Sequence, residues 1–65
     1  MNVFREKRLE ILYTQGRLAK EVGVDRTTIA KWETGQTVPR PDKLIKLSIL
    51  FNCTVDELVK GGVGS

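Results

Sequence analysis

Histidine is absent from this sequence of 65 residues, and cysteine occurs once, at Cys53. A single cysteine excludes an internal disulfide, and without histidine no group of residues has the spacing of a zinc site. A domain this short buries only about 60% of the surface that its unfolded chain exposes. Its stability must therefore come from good helix packing, with self-association as a further source. We interpret Cys53 as a small buried apolar residue, because nothing near it in the sequence would activate a thiol.

Long apolar runs are also absent. No stretch approaches the roughly 18 apolar residues of a membrane span. The first ten residues are charged and lack the apolar run of a signal peptide. We therefore expect a soluble, cytoplasmic protein that contacts no membrane. The net charge of +3 favours a polyanionic partner only weakly, since many basic domains bind none.

The segment from residue 14 to residue 35 is the most informative. Two short helical patterns, at about residues 15–22 and 26–34, flank a turn that contains Gly23. Gly23 suits the left-handed conformation that ends a helix, and Asp25 suits the N-cap of the next one. Two helices joined by a short turn with a glycine predict a helix-turn-helix, a unit that places its second helix in the major groove of DNA.

Three further helices are predicted around this segment. The first covers about residues 3–12, and the fourth covers about residues 42–51, with Pro41 at its start and Asn52 as its left-handed C-cap. Gly35 is expected to end the third helix. The fifth opens at the capping box of residues 54–57 and ends at Gly61. The predicted fold is all-α: a compact bundle of five helices over residues 1–60, followed by a flexible glycine-rich tail at residues 61–65.

The third helix has two different faces when its residues are placed about 100° apart. Ile29 and Trp32 point into the core, and Glu33 lies towards the same side. The outer face consists of Thr27, Ala30, Lys31 and Thr34, with Arg26 at its edge. Hydroxyls and cations without an acid can donate hydrogen bonds to base edges and phosphates. A plain solvated helix face has the same composition, so the pattern alone leaves both interpretations open.

Taken together, these segments resemble the lambda-type helix-turn-helix family, which comprises phage repressors, Cro proteins and their Xre-type bacterial relatives. The motifs that carry the resemblance are TQ at 14–15, LA at 18–19, VGV at 22–24, Ile29, WETG at 32–35, Pro39, Leu44 and Leu47, and TVDEL at 54–58. The resemblance implies the compact lambda-repressor-like bundle, with the helix-turn-helix in helices 2 and 3. It also implies a sequence-specific regulator of transcription that binds double-stranded DNA.

The resemblance assigns roles to individual residues. The positions that read bases in the family are matched by Arg26, Thr27 and Lys31. Contacts to the DNA backbone are expected from Gln15, Thr28, Thr34, Gln36 and Arg40. We add Arg17, because a cation at the positive end of a helix dipole is tolerated better with a phosphate in front of it. The alternative for Arg17 is a surface arginine with no special role.

Two further features come from the same resemblance. Arg8 and Glu33 match a partly buried ion pair that ties the first helix to the third. Leu12 stands where the family usually has a glycine in the left-handed conformation. A leucine in that conformation costs on the order of 1 kcal/mol. We therefore expect Leu12 to extend the first helix and to point into the core.

The leading functional hypothesis is a repressor that acts as a homodimer on a palindromic operator. One module reads only about four to six base pairs, so two half-sites about one helical turn apart are needed for a unique site. Ile49, Leu50 and Val59 are candidates for the dimer contact, with ordinary core packing as the alternative. The dimer is expected to be weak in solution and stronger on DNA.

The competing hypothesis is a protein-interaction module, such as an antitoxin or a transcription adaptor, because a fold alone does not define a function. An enzyme is not expected, since histidine is absent and Cys53 has no base beside it. No cofactor, metal ion or small-molecule ligand is expected either.

Overall fold

The computed structural model describes residues 2–62, which form five α-helices and no strand. The helices are α1 (Val3–Glu10), α2 (Gln15–Val22), α3 (Arg26–Thr34), α4 (Pro41–Phe51) and α5 (Val55–Gly62). α2 packs against α3, α1 packs against α3 and α5, and α4 packs against α2 and α5. The predicted all-α class and the predicted order of five helices are confirmed. None of these helices is long and apolar enough to cross a membrane.

Short polar side chains cap three of the helix starts. The Oδ1 atom of Asn2 accepts a hydrogen bond from the backbone N–H of Phe4 at 2.8 Å. The Oγ1 atoms of Thr14 and Thr54 do the same at the starts of α2 and α5, as their sequence positions predict. Asp25 occupies the N-cap of α3, but its side chain makes no capping hydrogen bond.

Four helices end in the same left-handed turn. Gly23, Gly35 and Asn52 have positive φ angles after α2, α3 and α4, as the sequence predicts. In each turn the following residue donates its backbone N–H to a carbonyl five positions earlier; Val24 donates to Ala19 at 2.9 Å. This bond satisfies one of the carbonyls that a helix end leaves free.

The fourth such turn contains Leu12 and corrects the predicted end of α1. The helix stops at Glu10, and Leu12 has a φ of 60° with 89% of its surface exposed. The backbone N–H of Leu12 bonds to the carbonyl of Leu9, and that of Tyr13 bonds to the carbonyl of Arg8. The expectation that Leu12 extends the helix and enters the core is wrong, because the chain closes the glycine-type turn with a leucine.

One apolar core joins all five helices. Its buried members are Phe4, Leu18, Ala19, Val22, Ile29, Trp32, Leu44, Leu47, Phe51 and Leu58. The rings of Phe4 and Trp32 lie 6.4 Å apart and link α1 to α3. The Asn2 amide adds a second link, since its Nδ2 atom donates to the carbonyl of Trp32 at 2.6 Å. These contacts and the core hold α3 on its inner side.

The C-terminal end departs slightly from the expectation. α5 includes Gly61 and Gly62, so it continues past the predicted stop at Gly61. The remainder of the predicted flexible tail, residues 63–65, lies outside the residues that the structure describes.

Candidate nucleic-acid interface

The outer face of α3 is built as the helical wheel predicts. The side chains of Arg26, Thr27 and Lys31 are exposed, while Ile29 and Trp32 on the opposite side are buried. α3 has no acid in its first turn. Five ion pairs occur among residues 2–62, and neither Arg26 nor Lys31 takes part in any of them. The charged groups of Arg26 and Lys31 are therefore open to solvent.

Glu33 is removed from that face by a buried network. Its Oε2 atom accepts from the Nε atom of Arg8 at 2.6 Å, and its Oε1 atom accepts from a second guanidinium nitrogen at 3.2 Å. The two side chains are only 10% and 5% exposed. The predicted ion pair between Arg8 and Glu33 is confirmed. A third guanidinium nitrogen of Arg8 donates to the carbonyl of Tyr13 at 2.7 Å, which fixes the turn before α2.

Gln15 joins the same network, which the sequence did not reveal. Its Nε2 atom donates to Oε1 of Glu33 at 3.1 Å, so the amide is oriented by a residue of α3. We call α3 the recognition helix, since it is the second helix of the helix-turn-helix. The amide nitrogen carries two hydrogens, and this bond uses one of them. The second hydrogen stays available to a phosphate. The predicted contact of Gln15 with the DNA backbone is therefore compatible with the network.

Arg17 lies on the first turn of α2 and stacks on an aromatic ring. Its Cζ atom is 4.3 Å from the centroid of the Tyr13 ring. Arg17 is exposed, whereas Tyr13 is half-buried and packs against the core. The sequence alone does not indicate a role for Tyr13, although Tyr13 lies only four residues before Arg17.

Two residues that are predicted to contact the DNA backbone line one cleft beside the loop between α3 and α4. The cleft has a volume of about 250 Å³ and is lined by Val24, Thr28, Trp32, Val38, Arg40 and Lys43. Thr28 is half-buried there, and Arg40 and Gln36 are exposed. The Nζ atom of Lys43 donates to the carbonyl of Val22 at 3.3 Å, which caps the end of α2. Thr28 and Arg40 are thus neighbours in space although they are twelve residues apart.

The hydroxyl of Thr34 is already used in a hydrogen bond within α3. Its Oγ1 atom donates to the carbonyl of Lys31 at 3.1 Å. A hydroxyl that donates to a carbonyl keeps only its lone pairs, and phosphate oxygens need a donor. Thr34 can contact a phosphate only after its hydroxyl turns away from the helix.

Cys53 lies away from this surface, at the junction of α4 and α5. The thiol is half-buried. Burial raises its pKa above the usual value for a thiol, which keeps the sulfur protonated at neutral pH. Within residues 2–62, no three histidine, cysteine or acidic side chains lie together in a way that would hold a metal ion.

Comparison with known proteins identifies the family. The helix-turn-helix family model HTH_3 matches residues 4–58. The chain is 44% identical over 48 residues to the HTH-type transcriptional activator BcrR of Enterococcus faecalis, across 74% of this chain and 24% of BcrR. It is 37% identical over 57 residues to repressor protein C2 of Salmonella phage P22, across 88% of this chain and 26% of C2.

A third relative and two solved structures extend the comparison. The chain is 33% identical over 52 residues to the cryptic phage CTXphi transcriptional repressor RstR of Vibrio cholerae, across 80% of this chain and 46% of RstR. The crystal structure of the P22 c2 repressor in complex with a synthetic operator matches with a TM-score of 0.84 and 36% identity, covering 89% of this chain and 88% of that one. The solution structure of the c2 DNA-binding domain matches with a TM-score of 0.80 and 34% identity, covering 94% and 80%.

The chain therefore belongs to the helix-turn-helix family of the Xre and Cro/C1 type, whose members are DNA-binding transcriptional regulators and not enzymes. Within that family, its five helices match the DNA-binding domain of the P22 c2 repressor. The predicted family and fold are confirmed. The chain spans about a quarter of the length of BcrR and C2, and under half of the length of RstR.

Proposed function

We propose that this chain binds double-stranded DNA in a sequence-specific manner through the outer face of α3, and that it represses transcription as a homodimer on a palindromic operator. One observation carries the proposal. The recognition helix keeps Arg26, Thr27 and Lys31 exposed and outside every ion pair of residues 2–62, while its single acid, Glu33, is neutralised on the inner side. A face of this kind attracts a partner that is rich in hydrogen-bond acceptors and negative charge.

In the proposed complex, α3 lies in the major groove. Arg26 and Lys31 donate to the acceptors of guanine, and Thr27 offers a hydroxyl and a methyl group to a neighbouring base. These three side chains choose the sequence, because the donor and acceptor pattern of each base pair is distinct in the major groove.

The surrounding residues position the protein on the duplex. Gln15, Arg17, Thr28, Thr34, Gln36 and Arg40 contact phosphates in this proposal. Contacts of this type fix the register of the helix but carry no sequence information themselves. Gln15 is already oriented by its hydrogen bond to Glu33, so part of the ordering cost is met before DNA binds.

The proposed dimer uses the apolar surface near the end of α4. Ile49 is 75% exposed, and Val59 on α5 is also exposed, so neither belongs to the core. Leu50 is half-buried against the core and is better explained by ordinary packing. A twofold contact through Ile49 would pair the same surface on two copies, as closed dimers require.

The direction of control is proposed from the relatives. C2 and RstR are named repressors, and BcrR is named an activator. A repressor that covers a promoter needs only DNA affinity, whereas an activator needs a further contact with the transcription machinery. A reporter with the selected site overlapping its promoter distinguishes the two: repression is expected, and increased expression would favour an activator.

Selection of binding sites from random duplex DNA tests the proposal. Enriched palindromes with half-sites about one helical turn apart are expected. Enrichment of single half-sites would support DNA binding and contradict the dimer. If no sequence is enriched, the chain is better explained as a protein-interaction module.

A matched pair of variants tests the dimer surface. Ile49→Gln should weaken binding to the full palindrome and leave binding to an isolated half-site unchanged. Leu9→Gln removes a partly exposed apolar side chain from α1 instead and should affect neither. Equal effects of both variants would show that Ile49 is not at the contact.

A further inference from the structure

Arg17 carries a charge that no acid among residues 2–62 neutralises in an ion pair. It takes part in none of the ion pairs found among residues 2–62. It lies on the first turn of α2, which contains no acid. The helix dipole is positive at this end and repels a cation. A long flexible arginine in such a place should extend away from the helix unless something holds it.

The Tyr13 ring holds it. The guanidinium carbon of Arg17 lies 4.3 Å from the ring centroid, within the range of a cation–π contact. Stacking uses the flat face of the guanidinium, while its N–H donors lie in the plane and point outwards. The contact therefore fixes the direction of the side chain and leaves the donors free for an anion.

Tyr13 is itself fixed relative to the recognition helix. Its backbone N–H donates to the carbonyl of Arg8 at 3.1 Å, and its carbonyl accepts from the guanidinium of Arg8 at 2.7 Å. Arg8 is paired with Glu33 of α3. The backbone of Tyr13 is thus tied to α3 through the side chains of Arg8 and Glu33, and its ring packs against the core.

From this arrangement we propose that Tyr13 is a positioning residue, which holds the guanidinium of Arg17 ready to bind a DNA phosphate while α3 occupies the groove. The inference rests on the proposed function and deepens it. Tyr13 acts through Arg17 and needs no contact with DNA of its own. The contribution is independent of base sequence, because a phosphate is the target.

Four variants measured on the selected duplex test the inference: Arg17→Ala, Tyr13→Leu, the double variant and Tyr13→Phe. Arg17→Ala should reduce the slope of log affinity against log salt by about 0.9, the value for one phosphate contact. Tyr13→Leu keeps an apolar side chain but removes the aromatic face, and should weaken binding by about two- to fivefold. Tyr13→Phe keeps the face and should bind as the unsubstituted chain does.

The decisive comparison is the double variant. If Tyr13 acts through Arg17, Tyr13→Leu should have no further effect on affinity once Arg17 is alanine. Additive effects would overturn the inference, as would a Tyr13→Phe variant that is as weak as Tyr13→Leu, since the hydroxyl would then be the active group. A purely structural role of Tyr13 would lower the melting temperature and weaken binding equally in both backgrounds.

A further variant covers the case in which Tyr13→Leu does not fold. Arg17→Lys keeps the charge and can still lie over the ring, but it lacks the planar guanidinium whose in-plane donors point outwards, so it should retain the salt slope and lose affinity by about two- to fivefold. Unchanged affinity would overturn the inference. If the unsubstituted chain selects no duplex at all, the proposed function fails first, an outcome distinct from additivity in a chain that binds DNA.

Discussion

Two sets of polar side chains lie on opposite sides of α3 and have opposite environments. On the inner side, Arg8, Glu33 and Gln15 are joined to one another by hydrogen bonds of 2.6 to 3.2 Å. On the outer side, Arg26 and Lys31 are exposed and form no ion pair within residues 2–62. The inner set contains an acid and its members bind one another, whereas the two cations of the outer set form no ion pair among residues 2–62.

This difference shows that the number of charged residues alone does not predict how this protein binds DNA. The net charge of +3 does not reveal that the recognition helix contains an acid, Glu33. That acid does not oppose DNA binding, because its carboxylate is already shared between a guanidinium and an amide. Within the inner set, the buried pair of Arg8 and Glu33 should therefore affect stability, and the outer set should affect binding alone. The substitutions below test that separation, from the largest expected effect to the smallest.

Trp32→Ala should have the largest effect on the inner side. The side chain is buried and contacts Phe4. Its removal should cost roughly 3–5 kcal/mol, which is a large part of the stability of a domain this small. Thermal unfolding followed by circular dichroism is the measurement. A cooperative transition at the original temperature would contradict the core assignment.

Glu33→Ala should destabilise the fold by about 3–5 kcal/mol, because it leaves the buried guanidinium of Arg8 without its counter-charge. Urea unfolding followed by the fluorescence of Trp32 measures the loss. The matched control is the double variant Arg8→Met with Glu33→Leu, which removes both charges and should recover most of that stability. A loss in Glu33→Ala no greater than that of a surface substitution would show that the pair is not buried in solution.

Leu12→Gly should stabilise the fold by about 1 kcal/mol. Leucine holds the left-handed conformation at a steric cost that glycine does not have, and its exposed side chain contributes little packing. Leu12→Ala is the control and should give no comparable gain, because alanine has the same backbone restriction. Equal stabilities of the glycine and alanine variants would mean that the turn in solution differs from the one described.

Arg40→Ala should have the smallest effect, and only on binding. It should weaken all duplexes alike and reduce the salt slope by about 0.9. Lys60→Ala on α5 is the control, since Lys60 is paired with Asp56 at 3.6 Å and lies outside the proposed interface. If the Arg40→Ala variant keeps the original salt slope, Arg40 does not contact a DNA phosphate.

The sequence predicted the parts that depend on local rules. The helix order, the turns at Gly23, Gly35 and Asn52, and the inner position of Trp32 follow from periodicity and from residues with special backbone freedom. The predicted end of α1 was wrong because a leucine rarely adopts the left-handed conformation, so the sequence gives no sign of the turn there. There the hydrogen bonds of Tyr13 and Leu12 to earlier carbonyls outweigh a modest steric cost.

Contacts between helices were harder to predict. The resemblance to a family supplied the pair of Arg8 and Glu33, but the bond from Gln15 to Glu33 depends on how α2 crosses α3. The stacking of Arg17 on Tyr13 depends on the shape of the turn before α2. The base-reading and phosphate-contacting roles remain predictions, since they depend on a complex with DNA.

The separation of the two faces is tested most directly by measuring stability and affinity together in Arg26→Ala and Lys31→Ala. Each variant should unfold at the same urea concentration as the unsubstituted chain, because neither side chain forms an ion pair with any of residues 2–62. Each should lose roughly 1–3 kcal/mol of binding free energy for the selected site and discriminate less between bases. Unchanged affinity in both variants, or a loss of stability that matches the loss of affinity, would contradict the assignment of the outer face of α3 to DNA recognition.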